Sequence, residues 1–284
     1  MSHPTGKDPS PRSAAKTKTR VAPTHRCMLR LEVIAAHRLS EHFLRLTIGG
    51  DDLADFEYQG WDQLFRLFFP RPGQTGLRMP SAANNGWIAQ LYLMPVTTRP
   101  HVRNYTVRAF RAAQRELDVD FVVHGDGPAA TWALAAGPGD PVGIFDEGTM
   151  YRPRQGAHWQ LLVAEESAAP AALAIAEQTP ASLPTTLYLE VPTAADILPV
   201  TLGPHVNVRW LPRDTADTAD TMPGRLALDT VSHATLPAGH GSVFIAGESG
   251  LATGLRRILT SQHNIPKQDI TFFGYWKHGR SSLG

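Results

Sequence analysis

The chain has 284 residues, of which 42% are hydrophobic and 19% charged, with a formal net charge of +1. That length suits two domains of average size, and the composition is that of a globular protein with an ordinary core. No run approaches the roughly 18 apolar residues of a membrane span, and no apolar stretch follows the basic start as it would in a secretory signal.

The single cysteine, Cys27, excludes an intrachain disulfide, a cysteine-ligated zinc and a cysteine-ligated iron–sulfur cluster. One thiol fits a reducing cytoplasm. The twelve histidines show no paired ligand spacing such as H-x-x-x-H, so no metal site is expected. Residues 1–25 carry five Lys or Arg and one Asp, whereas the remainder carries 22 basic and 25 acidic side chains. The folded part is therefore no general polyanion binder, and no nucleic acid partner is expected. Residues 1–25 are rich in Ser, Thr, Pro and Lys, a composition that predicts a disordered basic tail.

From Met28 onward the pattern is that of an all-β unit. Met28–Ala35, Phe43–Ile48, Leu64–Phe69, Ala89–Met94, Asn104–Phe110 and Leu117–Val123 read as short strands separated by turn residues, with Asp140–Phe145 as a closing strand. Such spacing predicts an antiparallel sandwich or barrel over residues 26–150. After Gly148 strands and helices alternate. His158–Ala164, Thr185–Val191, Val206–Leu211, Ser242–Ala246 and Ile270–Tyr275 read as strands. Ser167–Gln178, with Ser167 as its N-cap, Leu226–Ser232 and Leu251–His263 read as helices. Residues 151–284 are thus predicted to form an α/β domain with a mostly parallel sheet. Ligands in such domains lie at the carboxyl ends of the strands. The first strand is followed by Ala164-Glu165-Glu166-Ser167 and not by a G-x-G-x-x-G turn, so no motif marks dinucleotide binding there.

The chemistry concentrates between Val102 and Ala133. On a strand, Arg103 and Tyr105 project to one side, and Asn104 and Thr106 to the other. A guanidinium suits a phosphate, a flat ring suits an aromatic cofactor, and the Thr106 hydroxyl suits a ring heteroatom. Fifteen residues on, Phe121-Val122-Val123-His124-Gly125 leads through Gly127 and Pro128 into a short helix, a geometry that cradles phosphate. Together the two halves suggest a flavin site.

The chain resembles the siderophore-interacting proteins, flavin-dependent ferric-siderophore reductases related to ferredoxin-NADP reductases. Five segments carry the resemblance: Asp62 to Pro70, Arg103 to Arg108, Asp118 to Gly125 with Gly127-Pro128-Ala129, Ala246-Gly247-Glu248, and Gly274 to Gly279. It implies an FAD-binding barrel followed by an NAD(P)H-binding-like domain whose C-terminal segment returns toward the flavin. Arg103 is then expected on the FAD pyrophosphate, Tyr105 against the isoalloxazine and Thr106 near N5. Val122 and Val123 would offer backbone groups to the ring. His124, Gly125, Gly127, Ala129, Ala130, Thr131 and Trp132 would meet the phosphates and adenosine. Arg66 and Lys277, with Arg280 third, would attract an anionic ferric siderophore of hydroxamate or catecholate type. Glu248 would lie on the nicotinamide side. The implied donor is NADPH or NADH, or a ferredoxin, and the protein is expected to act as a monomer.

The chain departs from the family pattern in several places. Ala130 and Thr131 stand where a hydroxyl and a basic residue are usual, and Gln63 stands where the family has histidine. Phe145-Asp146-Glu147-Gly148 replaces a phosphate loop with two carboxylates, so the adenosine end is held differently or this loop points away. Glu165-Glu166 would discourage a 2′-phosphate if it lies in that pocket. Two other functions remain open on the residues alone: a flavin or ferredoxin reductase with a different acceptor, and a flavoprotein that binds siderophore without turnover.

Overall fold

The computed structural model describes residues 20–123, 127–215 and 222–279. Seven strands form the first sheet: β1 (Met28–Arg38), β2 (Phe43–Gly49), β3 (Leu64–Phe69), β4 (His101–Thr106), β5 (Ala109–Arg111), β6 (Glu116–Val122) and β7 (Pro141–Gly148). Their order is β4-β3-β7-β1-β2-β6-β5, and every pairing is antiparallel. Contacts between β4 and β6 curl the sheet into a half-barrel. Alternation explains the interior. Phe65, Leu67 and Phe69 of β3 pack inward with Leu44, Leu46 and Ile48 of β2 and with Val119 and Phe121 of β6.

Ala89–Met94 is not a strand. It belongs to helix α1 (Gly86–Leu93). The Asn84 side-chain oxygen accepts from the Gly86 N–H at 2.8 Å, turning the chain. Trp87 then packs edge-on against Phe68, with ring centroids 5.5 Å apart. That anchor on the outside of the barrel is a tertiary contact, and it overrides the local strand pattern. The expected single strand from Asn104 to Phe110 is broken at Val107, whose N–H turns to the Gln63 carbonyl at 2.8 Å.

Residues 20–25 do not belong to a disordered tail. Val21 forms a bridge with Thr149, Arg20 pairs with Glu147, and the Thr24 N–H bonds to Glu57 at 2.8 Å. The remainder of the expected tail, residues 1–19, lies outside the described residues.

The second sheet is parallel, with order β10-β9-β8-β11-β12. Its strands are β8 (Trp159–Ala164), β9 (Thr185–Val191), β10 (Val206–Pro212), β11 (Gly241–Glu248) and β12 (Ile270–Trp276). One face carries α4 (Arg225–Ser232) and α5 (Ser249–Ser261). The other carries α3 (Ala169–Gln178), whose alanines let it sit close against Leu162, Leu187 and Phe244. A 3-10 turn over Glu166–Ala168 precedes α3, and Glu165, not Ser167, caps it by accepting from the Ser167 N–H at 2.9 Å.

The two units are tied by polar side chains. Arg108 forks onto Glu177 of α3 at 2.7 and 2.6 Å. Asp196 holds Ser40 and His42 at 2.7 and 2.8 Å. Asp62 accepts from the N–H groups of Met150 and Tyr151 at 3.0 and 2.9 Å. The fold is an antiparallel half-barrel followed by a parallel α/β unit, as the strand and helix pattern indicates.

Candidate flavin and nicotinamide site

Strand β4 sets the first wall. Its register places Tyr105 opposite Phe65 and Arg103 opposite Leu67. Both therefore lie on the face that carries the barrel interior. The Tyr105 ring packs on Phe121 with centroids 4.3 Å apart, and burial pushes its hydroxyl well above the usual tyrosine range. It stays a neutral ring, suited to lie against another ring. Arg103 donates to the Val102 carbonyl at 2.7 Å. Among the described residues it has no carboxylate partner, which leaves a half-buried cation available to an anion.

Helix α2 (Pro128–Ala135) supplies the second wall. Its N-cap is Gly127, with no side-chain cap and with Pro128 at the first position. A Cβ at Gly127 would meet nothing within 4 Å, so the space beside it is open among the described residues. Uncapped N–H groups facing open space favour an anion. Trp132 stacks on Phe69 at 5.0 Å, and His101 covers Phe69 at 5.3 Å. This stack holds α2 to the barrel. Ala130 is buried and Thr131 exposed. His124 and Gly125 lie outside the described residues, as does Arg280. The Val122 backbone pairs with Phe43, and the Val123 N–H bonds to the His42 carbonyl at 2.8 Å. Unpaired Arg103, the Tyr105 ring and the open α2 N-terminus together fit a flavin dinucleotide, with Arg103 and α2 toward phosphate.

The carboxyl ends of the parallel sheet complete the site. Tyr275, at the end of β12, is half-buried and packs on the same cluster as Val122 and Trp61, which brings the C-terminal segment against the barrel. Lys277, two residues on, is exposed and has no salt-bridge partner among the described residues. The Trp276 indole N–H donates to Glu165 at 3.0 Å, and the Glu165 carboxylate also accepts from the Ser167 hydroxyl. Burial, then the neighbouring Glu166, raises the Glu165 pKa. Glu248 caps α5 through the Gly250 N–H and accepts from the His278 N–H at 3.3 Å. It borders a cleft of about 600 Å³ between the starts of α4 and α5, lined also by Arg225 and Arg257.

Several expectations need correction. Asp146 and Glu147 form part of strand β7, not a loop. Glu147 is answered by Arg20 at 2.6 Å, Arg26 at 2.5 Å and Arg66 at 3.3 Å. Asp146 is held by Gln63 at 3.0 Å. Gln63 itself is buried and satisfied, donating to the Glu57 carbonyl and accepting from the Gln59 N–H. Arg66 stands opposite Asn104, on the other side of the strand pair from Arg103 and Tyr105, with its guanidinium 5.8 Å from the Trp87 ring. It does not share their surface. Glu166 is neutralised by Arg213 at 2.7 Å, so the Glu165-Glu166 pair presents no free charge. Arg213 also reaches Glu190 at 2.9 Å, and Glu190 accepts from the Gly224 and Ala227 N–H groups at 2.7 Å. Tyr275, Arg213 and Glu190 had no role on sequence grounds. Only the Gly274-Tyr275-Trp276 run could have pointed to the first.

An antiparallel half-barrel joined to a parallel sheet in this way is the ferredoxin reductase-like architecture. A ferredoxin reductase of carbazole 1,9a-dioxygenase superposes with a TM-score of 0.63 at 14% identity, covering 88% of this chain and 70% of that one. The chain belongs to the siderophore-interacting protein family. Its siderophore-interacting FAD-binding domain matches residues 32–151, and its siderophore-interacting protein domain matches residues 157–279. The ferric vibriobactin reductase ViuB of Vibrio cholerae is 30% identical over 256 residues, covering 88% of this chain and 90% of that protein. The NADPH-dependent ferric-chelate reductase of Escherichia coli is 28% identical over 256 residues, covering 87% and 91%. A siderophore utilization protein from T. fusca superposes with a TM-score of 0.78 at 29% identity, covering 93% and 98%.

Proposed function

We propose that this chain reduces siderophore-bound iron(III) to iron(II) with electrons from NADPH, releasing the metal inside the cell. It is an FAD-dependent oxidoreductase. The observation that carries the reading is Arg103, half-buried and without a carboxylate partner among the described residues, on the same face of β4 as the Tyr105 ring and beside the uncapped helix α2. FAD, when bound, supplies the conversion of a two-electron hydride into single electrons. The protein's part is binding and electrostatics. Arg103 and the α2 N-terminus hold phosphate, and Tyr105 supports the ring. Lys277, exposed and without a salt-bridge partner, attracts an anionic ferric complex. Arg66, already paired with Glu147, adds to the field from the outer face and makes no contact with the complex.

No metal ligands are required of the protein, because the siderophore holds the iron. Among the described residues no group of three or more His, Cys, Asp or Glu could hold a metal. Preference for NADPH over NADH is supported by the cleft beside Glu248, where Arg257, exposed and without a salt-bridge partner among the described residues, offers charge to a 2′-phosphate, whereas Arg225 is paired with Asp229 at 2.9 Å. The E. coli relative's name points to the same donor. The test is anaerobic turnover with NADPH or NADH and a ferric hydroxamate or catecholate, with iron(II) trapped by ferrozine. Iron(II) production above a free-FAD control, faster with NADPH, is expected. No iron(II) above that control would refute reductase function, and equal rates with NADH would refute only the donor assignment.

A further inference from the structure

Between β3 and β4 the chain leaves the barrel for residues 70–100 and returns. This excursion plays no part in the flavin and nicotinamide walls. It carries four of the ten large hydrophobic side chains that the described residues expose: Ile88 (41%), Tyr92 (57%), Leu93 (85%) and Val96 (66%). Ile88 and Tyr92 are one helical turn apart on α1, Leu93 follows at its last residue, and Val96 lies just beyond. All four fall on α1 and the segment just after it, and Trp87 anchors α1 to Phe68 and Phe145. Scattered single apolar side chains on a surface need no explanation, but four concentrated on one short projecting segment mark an interaction surface.

Charge identifies the partner. From residue 63 to 115 the sequence contains eight arginines and no Asp, Glu or Lys, whereas the rest of the chain has 19 basic and 26 acidic residues. Arg108, Arg111 and Arg115 are answered by carboxylates elsewhere on the barrel. Arg71, Arg78 and Arg99, all within the excursion, have no carboxylate partner among the described residues. Arg99 lies 5.8 Å from the Tyr92 ring and donates to the carbonyls of Tyr92 and Met94 at 2.7 and 2.8 Å. Arg71 donates to the Arg99 carbonyl at 2.8 Å. These bonds hold the Arg99 guanidinium against the end of α1 and that of Arg71 beside Arg99. Arg26 reaches Asn85 beside α1 at 3.2 Å, and Arg66 lies near Trp87. The carboxylate paired with these last two is Glu147. The outer face around α1 therefore sets an aliphatic and tyrosine-bearing segment in a cationic field.

We infer that this face docks on an anionic lipid surface, with Ile88, Tyr92, Leu93 and Val96 entering the headgroup–acyl boundary. A projecting segment, rich in aliphatic groups and carrying a tyrosine, fits that boundary. The guanidiniums beside it match anionic headgroups. A protein partner of complementary charge would need a groove to receive Leu93, and its capture is the competing outcome.

The test is co-sedimentation of the full chain with vesicles of phosphatidylcholine alone, and with one quarter phosphatidylglycerol, at low and high salt. Binding to the anionic vesicles only, weakened at high salt, is expected. Leu93→Asp should lower that binding at least tenfold and Arg78→Gln severalfold. Both should keep bound FAD and iron(II) production from a water-soluble ferric siderophore, since neither touches the flavin walls. Vesicle binding that survives Leu93→Asp would assign it to the basic N-terminal residues and overturn the inference. So would absence of binding to either vesicle, including the case where an acidic protein such as a ferredoxin binds this face and Leu93→Asp abolishes that complex.

Discussion

Asp62 offers a sharp test of how the two units are joined. Its carboxyl is buried, accepts the N–H groups of Met150 and Tyr151, and has its pKa raised from 3.8 to about 6, chiefly by burial. A carboxyl whose folded pKa exceeds its unfolded one binds its proton more tightly when folded. Its ionisation therefore contributes against stability. The cost is absent below about pH 4, grows as pH rises, and is complete above about pH 6. A gap from 3.8 to about 6 corresponds to roughly 3 kcal/mol, an upper figure because water penetration softens buried charges. Asp62→Asn keeps an oxygen for both N–H donors and removes the charge. Urea unfolding should show the variant more stable at pH 8, by about 1–3 kcal/mol, and nearly unchanged at pH 4. Part of the pH dependence should remain, because Asp146 is also raised to about 6 by burial. A variant less stable than the parent at pH 8, with an unaltered pH profile, would refute the reasoning and make the ionised carboxylate a stabilising acceptor.

Other outcomes follow from the same contacts. Arg213→Met leaves Glu166 and Glu190 buried without their cation, and should cost about 3–5 kcal/mol in chemical unfolding. Gly224→Ala meets a φ of +86° and puts a Cβ 2.8 Å from Leu251, so its thermal midpoint should fall by several degrees, with a loss of about 1–3 kcal/mol. Arg108→Met removes the fork onto Glu177 and should lower stability by about 1–3 kcal/mol. Arg103→Gln should weaken FAD binding, followed by flavin fluorescence during titration of the apoprotein, by roughly 10- to 150-fold, as expected for loss of one charge-assisted hydrogen bond.

The strands were legible where period-two alternation met turn residues on both sides. Leu64–Phe69 and Thr185–Val191 agree with the sequence reading residue for residue. Helix α1 was not legible because Ala89 to Met94 alternates like a strand, and the deciding contact, Trp87 on Phe68 and Phe145, is tertiary. The Asn84-Asn85-Gly86 turn was the available local signal. Asp146 and Glu147 looked like a loop because two adjacent carboxylates do not belong in a strand alone. Arginines from positions 20, 26 and 66 make them acceptable there, and no local window contains those partners. The Arg103-Tyr105-Thr106 run announces ring and phosphate chemistry through residue type and strand period. The approach of Tyr275 depends on how the last strand of the second sheet ends, which the first 150 residues do not encode. Arg66 was misplaced for a related reason: its distance along the chain from Arg103 says nothing about which face of the sheet it takes.

The most direct test is a single anaerobic turnover. The FAD-loaded protein is reduced with one equivalent of NADPH, mixed with excess ferric siderophore, and followed for the return of oxidised flavin absorbance and for the ferrozine–iron(II) complex. The expected result is full reoxidation with two iron(II) formed per flavin, slowed by Lys277→Ala for anionic complexes more than for neutral ones. Flavin that stays reduced in the presence of the ferric complex, with no iron(II) above the protein-free control, would contradict the assignment.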